Sequence, residues 1–558
     1  MIEAGEYVKD YDENVNRKTI KAGEQTEGYT KNINRTTIKI QTIEMKGCVM
    51  TVYERKISMN PYVQYMYSYP HKTAYRPLHG VHLKDYAAYL AGGGHGMYLH
   101  VPFCQAKCGY CNLFSVTGQG QESVERYLDA VERQSSQYSQ VFHGEGTQFQ
   151  ELVIGGGTPL FLTLNQLERV FAVVLKYFHF STERDIVIET APNQTEEEKL
   201  ALLVQAGVTR VSMGIQSFCD RELAALGRFH SADRAREALA LLKAAGFSCI
   251  NVDFIYGIPG QTADSLLESL KEAVNSLPDE IFLYPLYVKH GVRMEHAGIV
   301  PDEKEAQKQY YAAVEFLTKQ GYRQDSMRRF VLAKQGYGQD SMRHFVPAKQ
   351  GYGQDSMRHF VPAEQRYGQE SMRRSVPAAG KRDYSECGFG TSIALGCGGR
   401  SYLGNLHFCS PYAVDQRTCL AYLDEYEKTE DYTDITYGIL LSQEELKRRY
   451  VIRHLMIMPG LWLERYQEHF GSQAADDFPI LEDWVRKGYA EVERYTDTNG
   501  TGGQNEKKEF LALTESGTAL SDYLGPQLIS EKIRRAMHEW EEMYGQAHGF
   551  VPGQSEKL

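Results

Sequence analysis

Cys104, Cys108 and Cys111 stand in the run YLHVPFCQAKCGYCNLF with C-x-x-x-C-x-x-C spacing. That spacing puts three thiolates on one short loop, close enough to grip three irons of a cubane [4Fe-4S] cluster. Such clusters are ordinarily held by four cysteines. A loop with three leaves one iron without a protein ligand and open to another molecule. The same residues admit two plainer readings, a zinc site short of one ligand or a set of buried thiols. Zinc loops are usually built from paired C-x-x-C runs, so the spacing favours the cluster.

Such a loop needs a rigid frame. From about residue 95 to 290 short apolar runs alternate with amphipathic stretches. MYLHVPF, ELVIGGG, DIVIET, RVSMGIQ, INVDFIYG and IFLYPLYV read as buried parallel strands, and VERYLDAVERQSSQY, LNQLERVFAVVLKYF and RAREALALLKAAG as helices between them. Alternation of this kind predicts βα units around a parallel sheet. Parallel α/β folds place their sites at the C-terminal strand ends.

The rest of the chain divides by composition. Residues 1–44 hold a duplication (YDENVNRKTIK, then YTKNINRTTIK) with little apolar content, which predicts a disordered extension. Residues 45–94 read as an extended, tyrosine-rich arm laid over the barrel, and 95–320 as the barrel itself. Residues 321–380 form a tandem array of period 15, GYRQDSMRRFVLAKQ and three further copies. Copy one follows a helix where the fold expects another strand, and the other copies would loop out as a solvated insert. Residues 381–434 supply a late barrel strand and connector, with a glycine-rich strand-turn at 394–404. Residues 435–540 resemble a winged-helix α+β module, and 541–558 a tail.

With 558 residues there is room for two or three domains. The 61 basic and 72 acidic residues give a net charge of −11, which argues against a nucleic-acid partner held by bulk charge. The C-terminal module has no dense basic stripe, so a lid or docking role fits it better than DNA binding. No apolar stretch reaches the roughly 18 residues a membrane span needs, no signal peptide opens the chain, and the cysteines outside the loop are scattered. A soluble, cytoplasmic protein in a reducing compartment is expected.

The motifs together resemble the oxygen-independent coproporphyrinogen III oxidase group of radical S-adenosylmethionine (radical SAM) proteins, which includes heme chaperones. Tyr110 before the third cysteine and HVPFC leading into the first are both typical of the radical SAM loop. The likeness is strong from about 95 to 290 and looser through 390–410 and the C-terminal module. The arm SYPHKTAYRPL is similar to a less characterised bacterial branch. The resemblance implies a partial, TIM-like βα barrel holding a [4Fe-4S] cluster on Cys104, Cys108 and Cys111. It also implies S-adenosyl-L-methionine on the open iron and a one-electron donor such as flavodoxin or ferredoxin. In the family, one electron cleaves the cofactor and the 5′-deoxyadenosyl radical formed abstracts hydrogen.

Residue by residue, the resemblance places Tyr98, six positions before Cys104, and Tyr110 against the cofactor. Gly156, Gly157 and Thr158 would approach its amino group through their backbone. Glu189 and Gln216 are further cofactor contacts. Arg228 suits a carboxylate by its fork, and Asp253 matches an acidic residue at the ribose hydroxyls.

Two departures bear on activity. The oxidases carry a further cysteine two residues after the third, where this chain has Leu113, and the chaperone branch has an HNxxYW motif where this chain has DYSECGFGTSIALG. The resemblance therefore implies a radical SAM oxidoreductase acting on an organic substrate, with a tetrapyrrole as the suggested class. The competing reading is a heme-binding chaperone with little turnover. His100, His230, His290 and His407 are candidates for heme or proton transfer, although lone histidines are more often structural. Cys387, Cys397, Cys409 and Cys419 are too widely spaced for a second compact cluster.

Overall fold

In the computed structural model, the structure describes residues 61–66, 68–143, 146–333, 390–497 and 506–547. The duplicated extension, repeat copies two to four and Cys387 lie outside the described residues.

Thirteen strands form one sheet. They are β1 (Arg76–Pro77), β2 (Gly93–Val101), β3 (Gln148–Gly156), β4 (Phe180–Thr190), β5 (Arg210–Gln216), β6 (Cys249–Tyr256) and β7 (Glu280–Pro285). After these come β8 (Tyr322–Gln324), β9 (Arg329–Leu332), β10 (Ser392–Leu395), β11 (Arg400–Leu403), β12 (Leu406–Cys409) and β13 (Tyr437–Leu440). The order across the sheet is β1-β13-β12-β11-β10-β2-β3-β4-β5-β6-β7-β9-β8. From β2 to β7 every neighbour is parallel, and β10 lies parallel on the other side of β2. The outer strands are antiparallel. This is the expected α/β partial barrel, with an antiparallel flank at each end.

The crossover helices form for local reasons. Helix Leu164–Tyr177 opens with a capping box between Thr163 and Gln166, which satisfies two orphan N–H groups. Its buried Leu167, Val170, Phe171 and Val174 recur at helical spacing and face the sheet. Helix Ala232–Ala245 is capped by Ser231 and stopped by Gly246 in the left-handed region.

Beyond the barrel, β14 (Leu461–Trp462), β15 (Ala490–Asp497) and β16 (Glu506–Leu513) make a three-stranded antiparallel sheet of order β14-β16-β15. Helices Gln443–Leu455 and Glu531–Ala547 pack beside it over a second core that includes Leu461, Trp484 and Leu511.

Several boundaries differ from expectation. The arm is not simply laid over the barrel, because Met66, Tyr69 and Ala74 belong to the second core. Tyr69 donates to the buried carboxylate of Glu445, which also accepts from Ser530. A proline-punctuated segment that cannot pair along its length leaves its aromatic side chains as the anchors. Nor is the arm extended throughout, since Leu83–Leu90 is 3-10 helical. Strand β13 falls after 434 yet pairs in the main sheet, and the last helix continues past 540 to Ala547.

Copy one of the repeat is a hairpin, not a single strand. β8 and β9 pair with each other, and β9 runs antiparallel to β7. At its turn, Arg328 is buried against Asp522 of the C-terminal module and lies 3.6 Å over the Tyr65 ring. The Tyr287 hydroxyl donates to the same carboxylate. One guanidinium thus joins barrel, arm and module.

Candidate metal and cofactor site

The cysteine loop is held at its neck and tip. Phe103 and Cys104 pair in parallel with Val116 and Thr117. At the tip, Gly109 N–H donates to Leu226 carbonyl at 2.9 Å and its own carbonyl accepts from Met294 N–H at 2.9 Å. A Cβ on Gly109 would stand 3.0 Å from Met294 Cγ and 3.1 Å from Leu226 O, so the glycine permits this docking. Lys107 Nζ donates to Val414 carbonyl at 2.5 Å, and Asn112 Nδ2 to the Tyr412 hydroxyl at 3.2 Å.

Among the described residues no three His, Cys, Asp or Glu side chains converge as one metal ion requires. That leaves the cubane reading intact, since sulfurs that each hold a different iron stand wider apart than sulfurs sharing one ion. Burial pushes the Cys104 thiol up to about 12 and raises Cys111 as well, so metal loading would release protons.

Cross-strand register gathers the other candidates. Directly opposed residues share a sheet face. Tyr98 is opposite Val153, Val153 opposite Val187, Glu189 opposite Ser212, Ser212 opposite Asn251 and Gly214 opposite Asp253. Because side chains alternate along each strand, Tyr98, Glu189 and Asp253 share the concave face.

Each has a defined contact. Glu189 Oε2 accepts from Gly156 N–H at 3.0 Å. Asn251 Nδ2 donates to Asp253 Oδ1 and to Ser212 Oγ, each at 2.7 Å. Arg228 donates to Cys108 Sγ at 3.1 Å and to the Gly214 carbonyl. Thr158 Oγ1 lies 3.7 Å from Cys104 Sγ. Tyr110 is held neutral, raised by its enclosure and by the two thiols, against the pull of Arg228.

The glycine turn is a cradle. A Cβ on Gly157 would meet Phe103 O at 2.7 Å and the Pro102 carbonyl at 2.9 Å. Gln216 has φ 73°, the left-handed region rarely taken by side-chain-bearing residues. Backbone held there points to a local functional demand.

Enclosure raises Glu189 to about 7 and Asp253 to about 6. Neither carboxylate meets a partner that matches its charge at close range, and Arg228 Nε and Asn251 Oδ1 are buried without a hydrogen-bond partner among the described residues. The donor set fits the expected groups: three thiols for a cluster, and beside them carboxylates, a guanidinium and amide groups for a zwitterionic ligand.

The four histidines take different places. Tyr98 Oη lies 3.2 Å from His100 Nδ1, and His100 Nε2 lies 2.8 Å from the Phe114 carbonyl. Nε2 must donate there, so Nδ1 accepts from the tyrosine. Burial keeps that ring neutral, lowered to about 3. His100 sits between Gly156 and Gly398, where a Cβ on either would collide with its ring. It orients Tyr98. His230 is tied to the Ile215 carbonyl at 3.1 Å and lowered to about 4. His290 Nδ1 lies 2.5 Å from Glu295 Oε1. His407 lies within the late strands. Cys397, Cys409 and Cys419 are buried free thiols and form no metal-binding group among the described residues.

Sequence reasoning missed Asn251. It is two residues from Asp253 on the same strand, and period-two spacing was the available signal.

Residues 98–273 match the radical SAM superfamily. The heme chaperone HemW of Mycobacterium tuberculosis is 35% identical over 207 residues, 37% of this chain and 53% of that protein. The oxygen-independent coproporphyrinogen III oxidase of Synechocystis sp. is 30% identical over 230 residues, covering 40% and 49%. The chain thus spans about half the length of these relatives. The solved coproporphyrinogen III oxidase HemN from Escherichia coli superposes with a TM-score of 0.61 at 22% identity, over 80% of this chain and 92% of that one. The chain carries a radical SAM domain with a HemN-like fold.

Proposed function

We propose that the chain is a radical SAM oxidoreductase of the coproporphyrinogen oxidase-like type, abstracting hydrogen from an organic substrate of tetrapyrrole class. The supporting observation is that Cys104, Cys108, Cys111, Glu189, Arg228 and Asp253 converge on one barrel mouth. When bound, a [4Fe-4S] cluster with S-adenosyl-L-methionine supplies reductive C–S cleavage and a hydrogen-abstracting organic radical.

The chain's own residues prepare that chemistry. The three cysteines would hold three irons, and Arg228, beside Cys108, would meet the cofactor carboxylate. Glu189 and the Gly156–Thr158 turn would orient its amino end. Asp253, steadied by Asn251, would accept from the ribose hydroxyls. Gln216 would contribute its amide from the strained strand end. Tyr98, fixed by His100, and Tyr110 would line the remaining walls. A one-electron donor such as flavodoxin or ferredoxin would reduce the cluster. No helix among the described residues is long and apolar enough to cross a membrane, and a cytoplasmic setting suits an oxygen-sensitive cluster.

A heme-binding chaperone is the second reading. Leu113 favours it: half-exposed beside the loop, it supplies no thiol where the oxidases have one. Anaerobic incubation of reconstituted, reduced protein with porphyrinogens, and separately with heme, separates the two. Release of 5′-deoxyadenosine with an altered porphyrinogen is expected. Stoichiometric heme binding with no cofactor cleavage would overturn the oxidoreductase reading in favour of the chaperone.

A further inference from the structure

Lys107 stands in the cysteine loop between Cys104 and Cys108, and its side chain turns back across the loop. Nζ lies 2.5 Å from the Val414 carbonyl, 3.3 Å from that of Leu113 and 3.5 Å from that of Ser115. A lysine ammonium has three N–H donors and no acceptor, so one carbonyl answers each. Leu113 and Ser115 follow Cys111 on the far limb of the loop, and Val414 lies beyond β12. The head group is therefore fixed beside the limb that carries the third thiol.

What it lacks is a counter-charge. Lys107 forms no ion pair among the described residues, whereas Lys176, Lys447 and Lys487 each reach a carboxylate. From Cys104 to Gly120 the chain has no aspartate or glutamate, and Lys107 is its only lysine or arginine. A lysine ordinarily carries its head out to water or pairs it, because enclosing a charge is costly. Here a half-buried ammonium is held by carbonyl dipoles that orient it without cancelling it. Its charge is felt at the thiols of Cys104 and Cys111, where it opposes the rise that burial causes.

We propose that Lys107 is a positioning residue for electron entry: its ammonium stabilises the electron added to a cluster held by Cys104, Cys108 and Cys111, and so raises the potential at which that cluster is reduced. Cluster potentials respond to net charge and to the surroundings of the sulfurs. One electron from the one-electron donor makes the cluster more negative by one charge, and a fixed cation beside it favours that product over the oxidised form. Arg228 also reaches Cys108, but in the proposed function the cofactor carboxylate answers its charge. Nothing in that reading answers Lys107 except the cluster. The inference rests on the proposed function for the cluster, and on the three carbonyl contacts for where the charge sits.

Spectroelectrochemical titration of the anaerobically reconstituted full chain, without S-adenosyl-L-methionine, reads the midpoint potential directly. Lys107→Met and Lys107→Gln remove the charge, the second keeping N–H donors for the carbonyls, and Lys107→Arg keeps the charge. Both neutral variants are expected to shift the potential to more negative values, with the arginine variant near the wild type. Failure of both neutral variants to load iron that the arginine variant loads in full would equally support the charge as the requirement. Equal potentials in the wild type and Lys107→Gln, a shift in Lys107→Arg as large as that in Lys107→Met, or loss of iron in all three variants would overturn the assignment and leave Lys107 a strut. A wild type that assembles no cluster would overturn the proposed function and this inference together. A normal cluster whose potential ignores Lys107 sinks this inference alone.

Discussion

The β2–β7 half of the barrel and the β10–β13 flank with its C-terminal module use charge in opposite ways. In the first, single polar groups stand on the strands or just beyond them, and each meets a backbone group or a neighbour on the same face. Glu189 takes Gly156 N–H, Asp253 takes Asn251, and Arg228 takes the Gly214 carbonyl. In the second, guanidinium groups are buried where segments far apart in sequence meet: Arg400 of the flank lies near Arg449 and Arg453 of the module, while Asp522 of the module meets Arg328 from the β8–β9 hairpin at the opposite edge of the sheet. In the first region each polar group is answered locally, and in the second the charged groups join parts of the chain that are distant in sequence.

The largest effect should come from the cysteine loop. Replacing Cys104, Cys108 or Cys111 with alanine is expected to abolish iron–sulfur absorbance and all cofactor cleavage. Cys397→Ala, in the flank, should change neither. Iron analysis and visible spectra after anaerobic reconstitution decide it. A loop mutant that kept four irons and activity, or a Cys397 mutant that lost iron, would erase the contrast between the regions.

Next is the junction. Asp522 is 1% and Arg328 6% exposed at the side chain, so Asp522→Ala leaves a buried guanidinium uncompensated. A loss of about 3–5 kcal/mol is expected, the usual result of breaking a buried pair from one side. Replacing both residues, with Arg328→Met and Asp522→Leu, should recover most of that. Denaturant midpoints measure both. A single mutant as stable as the wild type would show that the module is held by its apolar contacts alone.

The two halves also differed in how much could be read from the sequence. In the β2–β7 half the candidate site followed from the family's motifs taken in order along the chain, and parallel βα alternation brings the strands that carry them side by side. The strand runs DIVIET and INVDFIYG became β4 and β6 with their acids on one face. In the flank the same logic fails, because antiparallel strands of four residues carry no periodic signal. Some of their contacts reach the arm, at separations such as Arg400 to Ser68, 332 residues apart. The hairpin of copy one was read as one strand because its turn, Asp325-Ser326-Met327-Arg328, contains no glycine or proline to mark it.

A smaller effect tests the residue-by-residue transfer. Asp253→Ala should weaken S-adenosyl-L-methionine binding by about 1.5–3 kcal/mol, the range for a hydrogen bond to a charged group, while the cluster assembles normally. pH adds a second arm. Folding raises Asp253 to about 6 and Glu189 to about 7, above their values of about 4 in an unfolded chain. The empty protein therefore gains stability as pH falls from above 7 toward 4, because the folded state binds the extra protons. Cofactor binding should run the other way, weakening roughly tenfold between pH 8 and pH 5.5 as the acceptors are protonated. Calorimetry with thermal melts reads both, and parallel trends would sink the assignment.

The smallest expected change comes from the largest excision. Residues 336–380 comprise copies two to four of the repeat. Copy one already supplies β8 and β9, the β9–β7 pairing, the Arg329 contact to Glu280 and the Arg328 contact to Asp522. The later copies do not repeat that set: position 329 is His344 and His359 in the next two, and Leu332 becomes Pro347 and Pro362. Proline there would remove the N–H that Leu332 donates to the Asp279 carbonyl at 2.9 Å. Copy one is thus the copy suited to the sheet edge. Deleting 336–380 and restoring the connection with a short Gly/Ser linker is expected to leave iron content and cofactor affinity unchanged. The melting temperature should move by only a few degrees, since loop-closure entropy varies slowly with length. Loss of soluble protein on deletion would show that the repeats carry structure, and would move the array from the loops to the frame.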